Sequence, residues 1–141
     1  MMPIKSARTA TEQKEVKAAL RFFELVAAGK PKDAKDLFTT DCVTHNPYLG
    51  GGIAVLLDSI AAVQGPEASS SGMTSDMRME TKHVLADGDL VAVHTNIQSS
   101  SDKSKGFRQM HLFRFEGGKI AEYWDVTQVA PENSPNASRM F

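Results

Sequence analysis

The chain carries a single cysteine, Cys42, among 141 residues. An internal disulfide is therefore impossible, and a reducing compartment, the cytoplasm, is the expected setting. Cys42 precedes Val43 in an apolar stretch with no sign of activation, so a buried structural thiol is expected there and not a nucleophile. Net charge is equally scarce. Sixteen Lys and Arg against seventeen Asp and Glu leave −1, and no basic run is interleaved with aromatics, which argues against a nucleic-acid partner. Long apolar runs are missing too: nothing approaches the ~18 residues of a membrane span, and residues 1–15 lack the apolar core of a signal peptide. The expectation is a soluble, cytoplasmic protein with no membrane contact.

Several catalytic signatures are also absent. Gly50, Gly51 and Gly52 precede a helical pattern, but no Lys-Ser/Thr follows and no strand leads into a GxGxxG, so no phosphate or dinucleotide cofactor is expected. A serine nucleophile has no elbow motif. The histidines match no short ligand spacing such as His-Glu-x-x-His, and neither a metal nor any other cofactor is expected.

What is present suits one domain, 1–141, with a loose arm at 1–8 and an extended tail at 129–141 whose Met140 and Phe141 can pack on this subunit or a neighbour. Val16, Ala19, Leu20, Phe23, Val26 and Ala27 recur at spacings of three and four. They predict an amphipathic helix with a cap at Thr11, closed by Gly29 and Pro31. A shorter helix follows from Pro31 or Lys32 to about Asp41. Residues 42–48 read as a short strand that Pro47 cuts off. Residues 53–63 predict a third, deeply packed helix, and 65–76 a Ser- and Gly-rich loop, either a lid or filler. Strands at 77–85 and 90–99 join through Ala86 to Asp89, and a polar tip at 100–105 leads to the last hairpin.

That hairpin, 107–128, is the clearest signal in the chain, two runs rich in aromatic and β-branched residues around Glu116, Gly117, Gly118 and Lys119. A two-residue Gly117-Gly118 loop would oppose Phe115 with Ile120 and put His111 on the face of Trp124. A turn at Glu116-Gly117 with Gly118 as a left-handed bulge residue would oppose His111 with Tyr123 and Gln109 with Asp125. The second is preferred, because it collects Phe113, His111 and Gln109 with Ala121, Tyr123 and Asp125 on one face. Helices first and antiparallel strands after argue an α+β architecture, a strongly curved sheet around three helices with a blind cavity between them.

The order of elements resembles the NTF2-like superfamily, and within it the SnoaL-like proteins related to polyketide cyclases. The resemblance rests on Thr44 to Pro47, on Ala86 to His94, on Leu112 to Ile120 followed by Glu122 to Val126, and on the ending with Val129 to Glu132, Met140 and Phe141. It implies a cone-shaped antiparallel or mixed sheet, a small-molecule ligand, and a homodimer paired through the convex face, for which Val91, Val93, Met110 and Leu112 are available. A carboxylate on the last long strand often works as acid or base in such enzymes, and Asp125 matches it. Where relatives commonly carry an acid, this chain has His111.

Asp125 lies between Trp124 and Val126, where lost hydration favours a raised pKa and acid–base work. A purely structural hydrogen bond is the alternative. His111 alternates with Phe113 and Phe115, and a nearby carboxylate would hold its pKa near neutrality for proton relay. His94 is a second relay candidate. His45, Asn46, Tyr48, Gln109, Tyr123 and Phe113 are the candidate substrate contacts, with Asn46 or Tyr48 steadying a developing oxyanion. The reading is a cofactor-independent enzyme acting on a small apolar carbonyl or hydroxyl compound by aldol-type cyclisation, isomerisation or dehydration. A non-catalytic binding or assembly module is the alternative.

Overall fold

Thr9 starts the first helix of the computed structural model, which describes residues 7–63 and 76–141. Its hydroxyl accepts the Glu12 N–H at 3.1 Å, and the Glu12 carboxylate accepts the Thr9 N–H at 2.7 Å. This capping box satisfies two orphan donors at once, so helix α1 runs Ala10–Ala27, earlier than a cap at Thr11 implies. The second Glu12 oxygen accepts the Gly88 N–H at 3.0 Å. Most of the arm expected at 1–8 lies outside the described residues, although Arg8 donates to the Val84 carbonyl at 3.0 Å. The loop expected at 65–76 lies outside them except for Asp76.

After α1 the expected shorter helix forms as a 3-10 helix, Pro31–Leu37, ending before the expected Thr39 to Asp41. It stops at Leu37 because Phe38, Thr39 and Thr40 are aromatic and β-branched and take the extended backbone. Strand β1 is therefore Phe38–Thr44, four residues before the expected start. Phe38 anchors it, its ring edge-on to Phe22 at 5.5 Å. Helix α2 spans Gly52–Val63.

Four long strands complete the sheet: β2 Met77–Asp87, β3 Leu90–Ser99, β4 Gly106–Glu116 and β5 Lys119–Val129. They order as β1-β5-β4-β3-β2, with β1 parallel to β5 and the other pairs antiparallel. This is the curved, open, mixed sheet with helices on its inner face that the element order predicts. Val91, Val93, Phe113 and Ile120 on that face are fully buried, with Phe22 against them. Val91 and Val93 were expected on the convex face. Alternation along β3 turns them inward, and leaves Met110 of β4 outward and 47% exposed.

The hairpin register corrects the expected turn. Gly117 and Gly118 both take positive φ, 59° and 82°, which a two-residue type I′ loop requires. Glu116 pairs with Lys119 and Phe115 with Ile120, and the register then shifts between Phe115 and Arg114. The shift leaves an extra residue on β5, and Ile120 and Ala121, though adjacent, are both buried. Past this bulge Phe113 opposes Tyr123, His111 opposes Asp125 and Gln109 opposes Thr127. Each partner on β5 sits two residues beyond the expected one. A displacement of two keeps every side chain on its face, so the expected grouping forms by a different device.

Beyond β5 the tail expected to be extended turns at Glu132-Asn133 and Pro135-Asn136 and makes a 3-10 turn at Ala137–Arg139. Met140 is 5% exposed, its carbonyl accepts from Arg108 Nη1 at 3.1 Å, and it packs on its own chain.

Candidate functional site

Between α1, α2 and the inner face of the sheet lies a cavity of about 220 Å³. Phe22, Phe23, Ile60, Met79 and Phe107 make it greasy, and Gln109, His111, Tyr123 and Thr127 give it one polar wall. Among the described residues no charged side chain lines it. Apolar walls with a few convergent polar groups are what a small-molecule site requires.

His111 is the centre of that wall. It is 5% exposed, with Phe23 edge-on at 4.8 Å. Its Nδ1 meets the Tyr123 hydroxyl at 2.7 Å and its Nε2 the Thr95 hydroxyl at 3.1 Å. Burial pushes the imidazole down to about 3, well below the neutrality that proton relay by an imidazolium would need. Both nitrogens are satisfied by neutral hydroxyls, and neither touches a carboxylate. Burial, with the Asp125 charge beside it, raises Tyr123 well above the usual phenol range.

The Tyr123 hydroxyl stands 3.4 Å from Asp125 Oδ2, and the Asn46 amide lies 3.3 Å from the same oxygen and 3.5 Å from its twin. These contacts are longer than the usual hydrogen-bond range. At the far end Thr95 reaches Gln109 Oε1 at 3.4 Å, and Gln109 Nε2 donates to Thr127 at 3.1 Å. The result is a chain of contacts from Gln109 through Thr95, His111 and Tyr123 to Asp125.

Each hydroxyl in that chain has one proton, so it has two consistent polarities. In one, Thr95 donates to His111 Nε2, the Nδ1–H donates to Tyr123, and Tyr123 donates to Asp125. In the other, Tyr123 donates to His111 Nδ1, the Nε2–H donates to Thr95, and Thr95 donates to Gln109 Oε1, which leaves the Asp125 carboxylate without the Tyr123 proton. Passing from one to the other moves a proton's worth of polarity along the wall without placing an ion in the cavity.

Asn46 is aimed by its own loop. Its Oδ1 accepts the Tyr48 N–H at 2.9 Å across Pro47, an Asx-type turn that leaves the amide nitrogen for Asp125. His45 grips the other side of β5. Its N–H donates to the Tyr123 carbonyl at 3.0 Å, its ring stacks on Trp124 at 4.8 Å and 2°, and its Nε2 meets Glu122 at 2.6 Å. Arg114 Nε donates to the same carboxylate at 3.0 Å. The His45 and Arg114 hydrogen bonds hold Glu122 below the usual carboxylate range.

Of the residues singled out from sequence, the structure brings together His111, Tyr123, Asp125, Asn46 and Gln109, with Phe113 fully buried in the core behind them. Three do not join. His94 lies on the outer face because its neighbours Val93 and Thr95 point in, and it meets His83 there. His45 also lies outside, on Glu122 and Trp124. Tyr48 is 91% exposed. Thr95 was missed, though its place after Val91 and Val93 in the alternation marks it as inward. Thr127 was missed because the bulge decides which residue faces Gln109. Among the described residues no group of three or more His, Cys, Asp or Glu is placed to hold a metal ion, and no helix is long and apolar enough to cross a membrane.

A family profile described as "SnoaL-like domain" matches residues 19–123. Solved structures with the same fold include a candidate SnoaL-like polyketide cyclase of Jannaschia sp. CCS1, at 18% identity and TM-score 0.68 over 88% of this chain and 92% of that one. A candidate ketosteroid isomerase of Kribbella flavida aligns at 16% identity and TM-score 0.63, over 92% and 89%. An NTF2-like protein of unknown function from Burkholderia xenovorans aligns at 18% and 0.64, over 94% and 97%. At such identities the likeness concerns the fold. No functionally curated protein matches significantly.

Proposed function

The chain belongs to the SnoaL-like domain family, and from that premise we propose that it is a cofactor-independent acid–base enzyme for a small, uncharged carbonyl or hydroxyl compound. The observation that carries this reading is the hydrogen-bonded chain Thr95–His111–Tyr123–Asp125, whose His111 and Tyr123 line an otherwise apolar cavity.

In the proposed reaction the substrate oxygen meets the Tyr123 hydroxyl. His111 donates its Nδ1–H to Tyr123, which frees the phenolic proton to bond the oxygen as negative charge develops there. Asp125, 3.4 Å from that hydroxyl and not itself in the cavity lining, takes a proton from the carbon α to the carbonyl where the substrate reaches past Tyr123, and returns it to another carbon, to a departing hydroxyl, or to the alkoxide formed when the α-carbon attacks a second carbonyl. Asn46 holds the carboxylate in place. This sequence accommodates isomerisation, dehydration and aldol-type ring closure alike. The neighbours named as a cyclase and an isomerase suit it.

His111 stays neutral throughout and serves as a donor, with no imidazolium formed. His94 and Tyr48, considered as relay and oxyanion donor, have no part, since the His94 ring meets His83 on the outer face and the Tyr48 side chain is exposed.

The test is a panel of small neutral ketones and enones, screened first for binding and then for conversion by mass spectrometry. A compound that binds should be converted, and Asp125→Asn should keep the binding and lose conversion by about 10²-fold or more. Undiminished conversion by that variant removes Asp125 from the mechanism.

A second reading, storage or transport of an apolar molecule without reaction, draws on the full satisfaction of both His111 nitrogens. Tight binding with no conversion of any bound compound would favour it. Pairing of two copies through the outer face is also part of the proposal, supported by Leu85 and Val126, 68% and 70% exposed. Sedimentation at micromolar concentration tests it.

A further inference from the structure

Gln109 and Thr127 line the cavity at the end away from Tyr123, the first half-buried and the second exposed, and the proposed reaction does not use them. Gln109 Nε2 donates to the Thr127 hydroxyl at 3.1 Å, and Gln109 Oε1 stands 3.4 Å from the Thr95 hydroxyl. A threonine hydroxyl both accepts and donates. That of Thr127 accepts here, and its own proton has no acceptor among the described residues. Gln109 Oε1 has the opposite need. When Thr95 turns its one proton to His111 Nε2, Oε1 is left with no donor.

We propose that Gln109 and Thr127 are a subsite for a hydroxyl group of the substrate, so that the substrate class is a hydroxyketone. The inference rests on the acid–base reading of the cavity and names its ligand. A hydroxyl at this end accepts from Thr127 and donates to Gln109 Oε1, which closes a ring of donations from Gln109 Nε2 through Thr127 and the ligand back to Gln109. A carbonyl or an ether fills only the accepting half. By alternation Tyr123, Asp125 and Thr127 share the inner face of β5. The Tyr123 hydroxyl reaches forward to Asp125, so it stands about two strand residues, or ~7 Å, from Thr127. Oxygens at opposite corners of a six-membered carbon ring span that distance once a hydrogen bond is added at each end. A volume of about 220 Å³, the share of about seven waters, admits such a ring.

Occupation of this subsite also sets the protons at the reacting end. The ligand hydroxyl competes with Thr95 for Gln109 Oε1, and where it wins, the Thr95 proton goes to His111 Nε2. His111 then carries its own proton on Nδ1 and donates to Tyr123, the arrangement in which the phenol bonds the reacting oxygen. The hydroxyl at one end thus selects the productive polarity at the other.

The experiment is NMR titration of the protein with 4-hydroxycyclohexanone, 4-methoxycyclohexanone and cyclohexanone, with the His111 side-chain nitrogens observed in each complex. The hydroxyketone should bind about five- to tenfold more tightly than the other two, the worth of one hydrogen bond, and should raise the share of His111 that carries its proton on Nδ1. Cyclohexane-1,4-dione, which accepts but cannot donate, should bind without moving the tautomer. Thr127→Val and Gln109→Met should each bring the affinity ratio close to one, and Thr127→Ser should keep it, all with unchanged circular dichroism. Ketones that bind with no preference for the hydroxyl, or a preference that survives in both Thr127→Val and Gln109→Met, overturn the subsite. A preference with no movement of the His111 tautomer overturns the coupling between the two ends. None of these readouts needs turnover, so they stand apart from the Asp125→Asn test, and failure of every ketone to bind overturns the acid–base reading and the subsite together.

Discussion

His111 and Asp125 are direct cross-strand partners on β4 and β5, yet it is the Tyr123 hydroxyl, 2.7 Å from one and 3.4 Å from the other, that connects them. An imidazole and a carboxylate in contact would form an ion pair. Separated by a phenol, both His111 and Tyr123 stay neutral, and neither adds a charge to the cavity they line.

Removing that connection has a defined consequence. Tyr123→Phe keeps the ring packing on Phe113 at 5.2 Å but leaves His111 Nδ1 buried with no partner. The expected loss is about 1–3 kcal/mol of stability, read by urea denaturation, together with a changed His111 side-chain nitrogen shift by NMR. An unchanged His111 signal would show that the hydroxyl does not fix the imidazole.

The buried imidazole should also make stability depend on pH. Its folded value of about 3 lies below the ~6.5 of the unfolded chain, so between those limits the unfolded state binds more protons. The contribution is complete above about pH 6.5 and is lost as pH falls toward 3, with a slope of up to about 1.4 kcal/mol per pH unit. Replacing His111 with Gln should remove this component, leaving the slope of the remaining carboxylates. Equal slopes in the two proteins would place His111 in contact with water.

His45 clasps the outer side of β5 while its neighbour Asn46 reaches the Asp125 carboxylate. His45→Ala should loosen Asn46. Because the pair with Glu122 is partly exposed, the stability change should stay below about 1 kcal/mol, whereas the Asn46 side-chain amide signals should broaden or shift. Sharp, unmoved amide signals would show that the Asx turn alone holds Asn46.

Gly106 opens β4 where the sheet tolerates no side chain. A Cβ there would lie 2.2 Å from the Ile97 carbonyl oxygen and 3.0 Å from Gln98 Cα, both backbone atoms of the paired strand. Gly106→Ala should lower stability by about 1–3 kcal/mol. Gly50→Ala, with nothing within 4 Å, serves as the control with little effect.

Cys42 is 5% exposed. Burial first, and then the Asp41 charge, push its thiol up to about 11. At pH 8 it should resist iodoacetamide in the folded protein and react on unfolding. Rapid alkylation of the native protein would contradict its burial.

Much of this architecture was legible because it rests on periodicity. The three- and four-residue spacing from Val16 to Val26 marks α1, and alternation along residues 90–99 and 107–128 marks three strands. The pairing of faces was legible for the same reason: register errors of two residues are silent to alternation. The turn itself was not legible, since Glu-Gly-Gly-Lys suits both a bulged turn and a two-residue loop, and the bulge sits beyond it at Ala121. His45 and Asn46 could not be separated, because alternation says that one faces in but not which. The state of His111 was misjudged for a physical reason: a carboxylate two residues from Tyr123 in sequence suggests a charged partner, and only the fold shows a phenol standing between them.

The most direct measurement is exchange of α-protons in D2O for a small neutral ketone that the cavity binds, followed by NMR. The account predicts exchange well above the buffer rate, falling about 10²-fold or more in Asp125→Asn, with affinity for the ketone preserved. Exchange at the buffer rate for a bound ketone, or the full rate in Asp125→Asn, would contradict it.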